Sequence, residues 1–139
     1  MGNNIGACTT ASKWHDEIYV ALRVMVGLIF FYHGYTKVFT MGTDAVAGFF
    51  ASAGIPLANI LAPLVSYGEL LGGAALILGL FTHWMAKFNI IIMIGAIYFV
   101  HLEKGYADYE FQLLILIASA LIAATGAGKY SLDARRAKN

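Results

Sequence analysis

Four stretches of this chain are so long and apolar that they leave it one environment in which to fold. Ile18–Val38, Ala58–Leu80, Trp84–Leu102 and Tyr109–Thr125 each approach the length of helix, about 20 residues, that crosses roughly 30 Å of hydrocarbon. In lipid every backbone N–H and C=O needs an internal partner, so the four runs are read as helices. Composition agrees. Only 12% of the 139 residues are charged and 60% are hydrophobic, whereas a water-facing domain carries roughly 25% charge. The expectation is a single all-α integral membrane domain over residues 1–139.

Short connections, Phe81-Thr-His83 and Glu103 to Asp108, make the joined spans antiparallel, and a four-helix bundle is their natural packing. The stretch from Phe39 to Leu57 is longer. In it Val46, Phe49, Phe50 and Ala53 recur at helical spacing before Gly54-Ile55-Pro56 breaks the pattern. It reads either as a short amphipathic helix on the membrane surface or over the bundle mouth, or as a loop with an aromatic anchor. With four spans, Lys13, Lys87, Lys129, Arg135, Arg136 and Lys138 fall on one side, and Asp44, Glu103, Lys104 and Asp108 on the other. The positive-inside rule then places both termini in the cytoplasm and the bundle in the cell (inner) membrane. Residues 1–17 lack an apolar core, so the first run is expected to act as an uncleaved anchor. The tail from Asp133 to Asn139 is read as solvated.

Several functions are excluded. A net charge of +1 without a basic patch argues against nucleic acid. Cys8 is the only cysteine, which rules out an internal disulfide, a Cys-x-x-Cys motif and a cysteine metal cluster, and leaves Cys8 a bystander. The sequence carries no Gly-rich phosphate loop, no His-Glu-x-x-His, and no flavin, haem or iron–sulfur motif.

Against this background the buried charges stand out. A charge at mid-bilayer costs roughly 2.5 kcal/mol even on lenient scales, so Glu69 and Arg23 must face a partner or a cavity. Arg23, Gly27, Phe30, Gly34 and Lys37 form one helical stripe with His33 at its edge. Ala62, Val65, Glu69, Gly72, Gly73 and Leu76 form a matching face on the second span. With Cα levels placed about 5–10 Å apart, a long arginine side chain spans the difference, and an Arg23–Glu69 ion pair or a polar network containing both is expected. That pair reads equally as a clamp on helix register or as a binding and proton-handling site.

A second group, His33, Lys37, His101 and Glu110, is expected at one outer opening. Histidine and carboxylate suit zinc or iron, but Lys37 opposes a cation and the spacing is wrong, so no metal is expected. An anionic or quinone-like molecule fits better, with histidine moving protons and Lys37 holding an oxygen; the alternative reading is simple interfacial snorkelling of these side chains. His83, Lys87, Asn89 and Gln112 are assigned no role.

The run Leu22-Arg23-Val-Met-Val-Gly27-Leu-Ile-Phe30-Phe-Tyr-His33-Gly34-Tyr-Thr-Lys37 resembles the first helix of DoxX-type membrane proteins. Gly68-Glu69-Leu-Leu-Gly72-Gly73, Leu78-Gly79-Leu80-Phe-Thr82, Phe50 to Gly54-Ile-Pro56 and Gly126-Ala-Gly128-Lys-Tyr-Ser-Leu132-Asp133 are similar to the family's later patterns. His83 stands where the family often has arginine. The resemblance implies a four-helix membrane protein described as a component of quinone-linked oxidoreductases, related to the large subunit of an archaeal thiosulfate:quinone oxidoreductase. It fixes no agreed catalytic residue.

The combined expectation is a membrane component of a quinone- or thiol/sulfur-linked oxidoreductase system. Glu69, His33 and His101 are its expected catalytic groups, and Arg23, Lys37, Glu110, Gly34 and Gly73 its expected quinone or substrate contacts. Electrons would come from a soluble or membrane redox partner, and a homo-oligomer is a further expected assembly. The alternatives are a non-enzymatic small-molecule carrier or channel-like protein, and a membrane anchor for a soluble redox partner.

Overall fold

The computed structural model describes residues 14–137. Cys8, Lys13 and Lys138 lie outside the described residues. Helix α1 runs His15–Tyr35 and continues, wound as a π-helix, over Thr36–Met41. The segment between the first two spans is a helix, α2 (Thr43–Ser52), and is followed by α3 (Ala58–Leu78). Helix α4 (Thr82–Ala96) continues as a π-helix over Ile97–His101 and a tight turn over Leu102–Lys104. Helix α5 (Tyr106–Thr125) and a short α6 (Leu132–Arg136) complete the described chain. Four of these units, His15–Met41, Ala58–Leu78, Thr82–Lys104 and Tyr106–Thr125, are long and apolar enough to cross a membrane.

Helix α1 packs most extensively on α3, and α4 on α5. The α1–α3 contact is close because glycines line it. A Cβ at Gly27 would lie 2.9 Å from the Gly73 carbonyl oxygen, one at Gly34 would overlap the Leu70 backbone, and one at Gly73 would overlap the backbone of Phe31. In a bilayer, where helices gain nothing from leaving water, such close packing is a main source of association. Tyr19, Val26, Phe30, Leu76, Ala86, Ile115 and Ile122 fill the central core. A second core is formed where α2 lays Val46, Ala47 and Phe50 onto Ala62 of α3. Of the residues expected on the inner face of α2, Phe49 remains 47% exposed, because the adjacent Phe50 takes the inward position.

Of the tail expected to be solvated, Arg135, Arg136 and Ala137 are exposed, and Asp133 is the departure. Asp133 accepts the Phe81 and Thr82 amide N–H groups, each at 3.0 Å, and so caps the first turn of α4, where orphan donors and the helix dipole favour a carboxylate. Its own N–H donates to the Gly79 carbonyl at 3.0 Å. Ser131 caps α6 by accepting the Ala134 N–H at 3.1 Å. Gly79, at φ +68°, ends α3 in the left-handed conformation and lets Leu80 N–H return to the Ala75 carbonyl at 2.8 Å. The charged tail thus closes the end of the bundle where the described chain starts and finishes.

Two outcomes follow. Gly34→Ala is expected to cost about 1–3 kcal/mol through overpacking, measured as a lower thermal midpoint in detergent, whereas Gly48→Ala, where an added Cβ meets nothing, should melt like the unaltered protein. Burial alone pushes the Asp133 carboxyl up, but the Thr82 and Phe81 amide bonds outweigh it and hold it below its ordinary value. A depressed carboxyl contributes its stability above the unfolded pKa, about 3.9, and loses it as pH falls through the lower folded value. The gap in melting temperature between the unaltered protein and Asp133→Ala should therefore be full at neutral pH and shrink only below about pH 4. A gap that is constant down to pH 2 would contradict the capping role.

Candidate functional site

Both ends of the candidate site grow out of helices that change their winding. Past Tyr35 the first helix loosens into the π-helical Thr36–Met41, a form found mostly where a helix re-aims side chains for function. From this segment the Lys37 ammonium donates to Oε2 of Glu69 on α3. Glu69 is 2% exposed, while the Lys37 side chain keeps 23% exposure. The carboxylate is thus sealed within the bundle, and its cation stands at the edge of the seal with further N–H donors free to turn outward. His33, one turn before Lys37, is exposed and edge-on to the Tyr32 ring at 6.1 Å.

The pair expected for Glu69 was Arg23, and the structure corrects it. Gly27 lies against Gly73 and Ile77, and Gly34 against Glu69 and Leu70, so Glu69 is level with the far half of α1. Eleven residues separate Arg23 from Gly34, about 16 Å of helix, which is beyond the reach of the side chain. The glycine contacts set the register, and hydropathy bounds alone had placed the two residues too close in depth. Arg23 is buried and donates instead to the carbonyls of Ala127 and, at 2.9 Å, Tyr130. Tyr19 donates to the Gly126 carbonyl beside it. A guanidinium with five donors suits a turn whose carbonyls have no helical partner, and Arg23 ties the end of α5 to α1.

Of the four residues expected at the outer opening, Lys37 bonds Glu69 and His101 bonds Asp108 and Gln112, and no bond joins the four to one another among the described residues. His101 closes the π-helical Ile97–His101 and meets Asp108 Oδ2 of α5 at 2.5 Å and Gln112 Nε2 at 3.1 Å. Lys104 lies 3.8 Å from the same carboxylate. Glu110 is exposed on α5 and forms no ion pair among the described residues. Gly34 and Gly73, expected to border a substrate, are occupied by helix contact. Among the described residues no three of His, Cys, Asp and Glu gather in a way that could hold a metal ion.

Sequence reasoning missed Asp108 and Gln112. They stand four apart at the start of α5, on one face with Ile115, Ser119 and Ile122, and that stripe was a usable signal. It also missed an apolar groove of about 650 Å³ between α3 and α4, lined among others by Pro63, Tyr67, Gly68, Gly72 and Phe88. The groove runs along the back of the helix turn that carries Glu69.

These features define a multi-pass membrane protein of four spans closed around a buried Lys–Glu pair. A family model described as DoxX matches residues 18–102, and the chain belongs to the DoxX family. It is 35% identical over 113 residues to "Putative oxidoreductase CatD" of Bacillus subtilis (strain 168), covering 81% of each chain. It is 30% identical over 133 residues to "Uncharacterized membrane protein Rv3486" of Mycobacterium tuberculosis (strain ATCC 25618 / H37Rv), covering 86% of this chain and 81% of that one. No solved structure matches it.

Removing one member of the buried pair strands the other. Glu69→Ala is expected to destabilise the protein by about 3 kcal/mol and more than His101→Ala, whose partner Asp108 is 39% exposed and can turn to water. The double variant Lys37→Met/Glu69→Leu should recover much of the loss, since an apolar pair leaves no orphan charge. Thermal unfolding in one detergent measures all three, and equal melting of Glu69→Ala and His101→Ala would contradict the sealed pair.

Proposed function

We propose that this protein is the membrane component of a redox system that handles a quinone, or a small sulfur or thiol compound, at the Lys37–Glu69 pair. The observation that carries this reading is the asymmetry of the pair: a sealed carboxylate whose cation remains partly open at one end of the bundle. A quinone carbonyl accepts hydrogen bonds, and the Lys37 ammonium has donors left to give it. Reduction to the quinol adds two electrons and two protons. His33 stands one helical turn from Lys37, and its ring is the proton donor in this scheme. Glu69 holds the ammonium in place and balances its charge in low dielectric.

Electrons come from outside the chain in this scheme. With thiosulfate as donor, two molecules join through a new S–S bond to form tetrathionate and release two electrons to the quinone, which takes up two protons. A flavoprotein or thiol partner could feed the same acceptor. The name of the Bacillus relative supports a redox role. The cell membrane is the proposed location. Lys87, Lys129, Arg135 and Arg136 would then face the cytoplasm with both termini, by the positive-inside rule.

The test is quinone reduction by the purified protein with thiosulfate or a dithiol, alone and with membrane extract supplying partners. Glu69→Gln is expected to lower the rate by at least about tenfold, as does the loss of one preorganised electrostatic contact. His33→Ala should lower it about 100-fold, the lower end for a missing proton donor, and imidazole should partly restore it. Full activity in both variants would overturn the site. Folded protein that is inactive and free of quinone under every condition would overturn the redox reading.

A further inference from the structure

The α4–α5 pair buries polar side chains that the Lys37–Glu69 site does not use. Asn89 and Ser119 are each 0% exposed. Neither end of the Asn89 carboxamide, nor the Ser119 hydroxyl, bonds any described residue. Gln112 reaches His101 through its nitrogen, yet its Oε1 is also buried without a partner.

Contacts at both ends of the pair fix its register. His83 Nδ1 lies 2.6 Å from the Ala123 carbonyl at one end, and His101 lies 3.1 Å from Gln112 at the other. Between these two contacts, antiparallel helices place Asn89 within about a turn and a half of Ser119. On α5 the stripe Asp108, Gln112, Ile115, Ser119, Ile122 advances by four and three residues, so Ser119 shares the face that meets His101. On the α3 side, a Cβ at Gly68 would strike the Phe88 ring. That contact sets Asn89 within one turn of the depth of Glu69.

Buried polar groups in native proteins are bonded to protein or to ordered water, and a carboxamide left dry among apolar side chains is strongly disfavoured. Asn89 can donate two hydrogen bonds and accept two, and Ser119 can donate one and accept two. Their occupant must therefore both donate and accept, and it must be small. It must also be neutral, because among the described residues the charges placed at this depth, Lys37 and Glu69, satisfy each other. Water meets all four requirements, needing two to four polar partners at a buried site.

We propose that Asn89 and Ser119 form a buried hydration site between α4 and α5, at the depth of Glu69, whose ligand is ordered water. Ile115 stands between Gln112 and Ser119 on the stripe and is 5% exposed. Ile115 thus separates the proposed site from the His101–Asp108 pair along that stripe, and its water is expected to exchange slowly with bulk.

Met93, one turn beyond Asn89 on α4 and packed against the core, is a built-in reporter. Radiolytic hydroxyl labelling of the full chain in lipid nanodiscs, mixed briefly into H218O, separates bound from bulk water by isotope. Met93 is expected to be oxidised with unexchanged oxygen at short mixing times. That label should fall at least fivefold in Ser119→Ala and in Asn89→Leu, while labelling of the exposed Met41 (51% exposed) stays constant. Ser119→Ala is nearly isosteric, and its helical circular dichroism and melting point establish that it folds. No Met93 label in the unaltered protein, or an unchanged label in folded Ser119→Ala, overturns the hydration site.

Discussion

The close seating of α1 on α3 is the constraint on which the rest depends. Gly27, Gly34 and Gly73 allow backbone to meet backbone, and only one register satisfies all three. In lipid, where apolar side chains are equally content against neighbours or tails, packing of this kind decides which helices meet. The register then assigns the charges. Lys37 comes opposite Glu69, and Arg23 comes opposite the turn that follows α5. Neither charge could change partner without sliding α1 along α3 by several turns.

The two ends of the bundle consequently do different work. At the end that holds the described termini, Tyr19, Arg23, Ser131 and Asp133 bind backbone groups of the C-terminal segment and of the α3–α4 turn. All of these bonds satisfy orphan carbonyls or amides. At the opposite end, acidic and basic side chains bond one another across helices: Lys37 with Glu69, and His101 with Asp108. Both sets arise where regular α winding gives way to π winding. The looser turn displaces a side chain from the position that continuous α geometry would give it. A ligand approaching this end meets donors and a titratable ring, whereas at the other end it meets a closed knot.

Much of this was legible from residues alone, and the failures share one cause. The four spans follow from the cost of unbonded backbone in hydrocarbon, and the helical spacing of Val46 and Phe50 marked α2 correctly. Glu69 was recognisable as a buried charge needing a partner, and Lys37 lay on the stripe of α1 expected to face inward. Arg23 was misassigned because apolar length bounds a span only to within a turn or two at each end, and errors from two helices add. Gln112 was passed over because its significance rests on the partner helix, which places it beside His101, and Asn89 because only the packed bundle shows that it is fully buried without a partner. Asp133 looked like a solvated tail residue because nothing local announces that it will cap a helix begun 51 residues earlier.

The sequence by itself determined the class of molecule: apolar run lengths, sparse charge and short turns require a four-span helical bundle in a membrane. It also determined which few residues could carry chemistry, since a charge inside hydrocarbon is too costly to be incidental. Only the tertiary structure decided the pairings. Whether a half-buried lysine meets a carboxylate or an arginine meets a carbonyl depends on axial register, and that is set by close contacts between glycines distant in the chain.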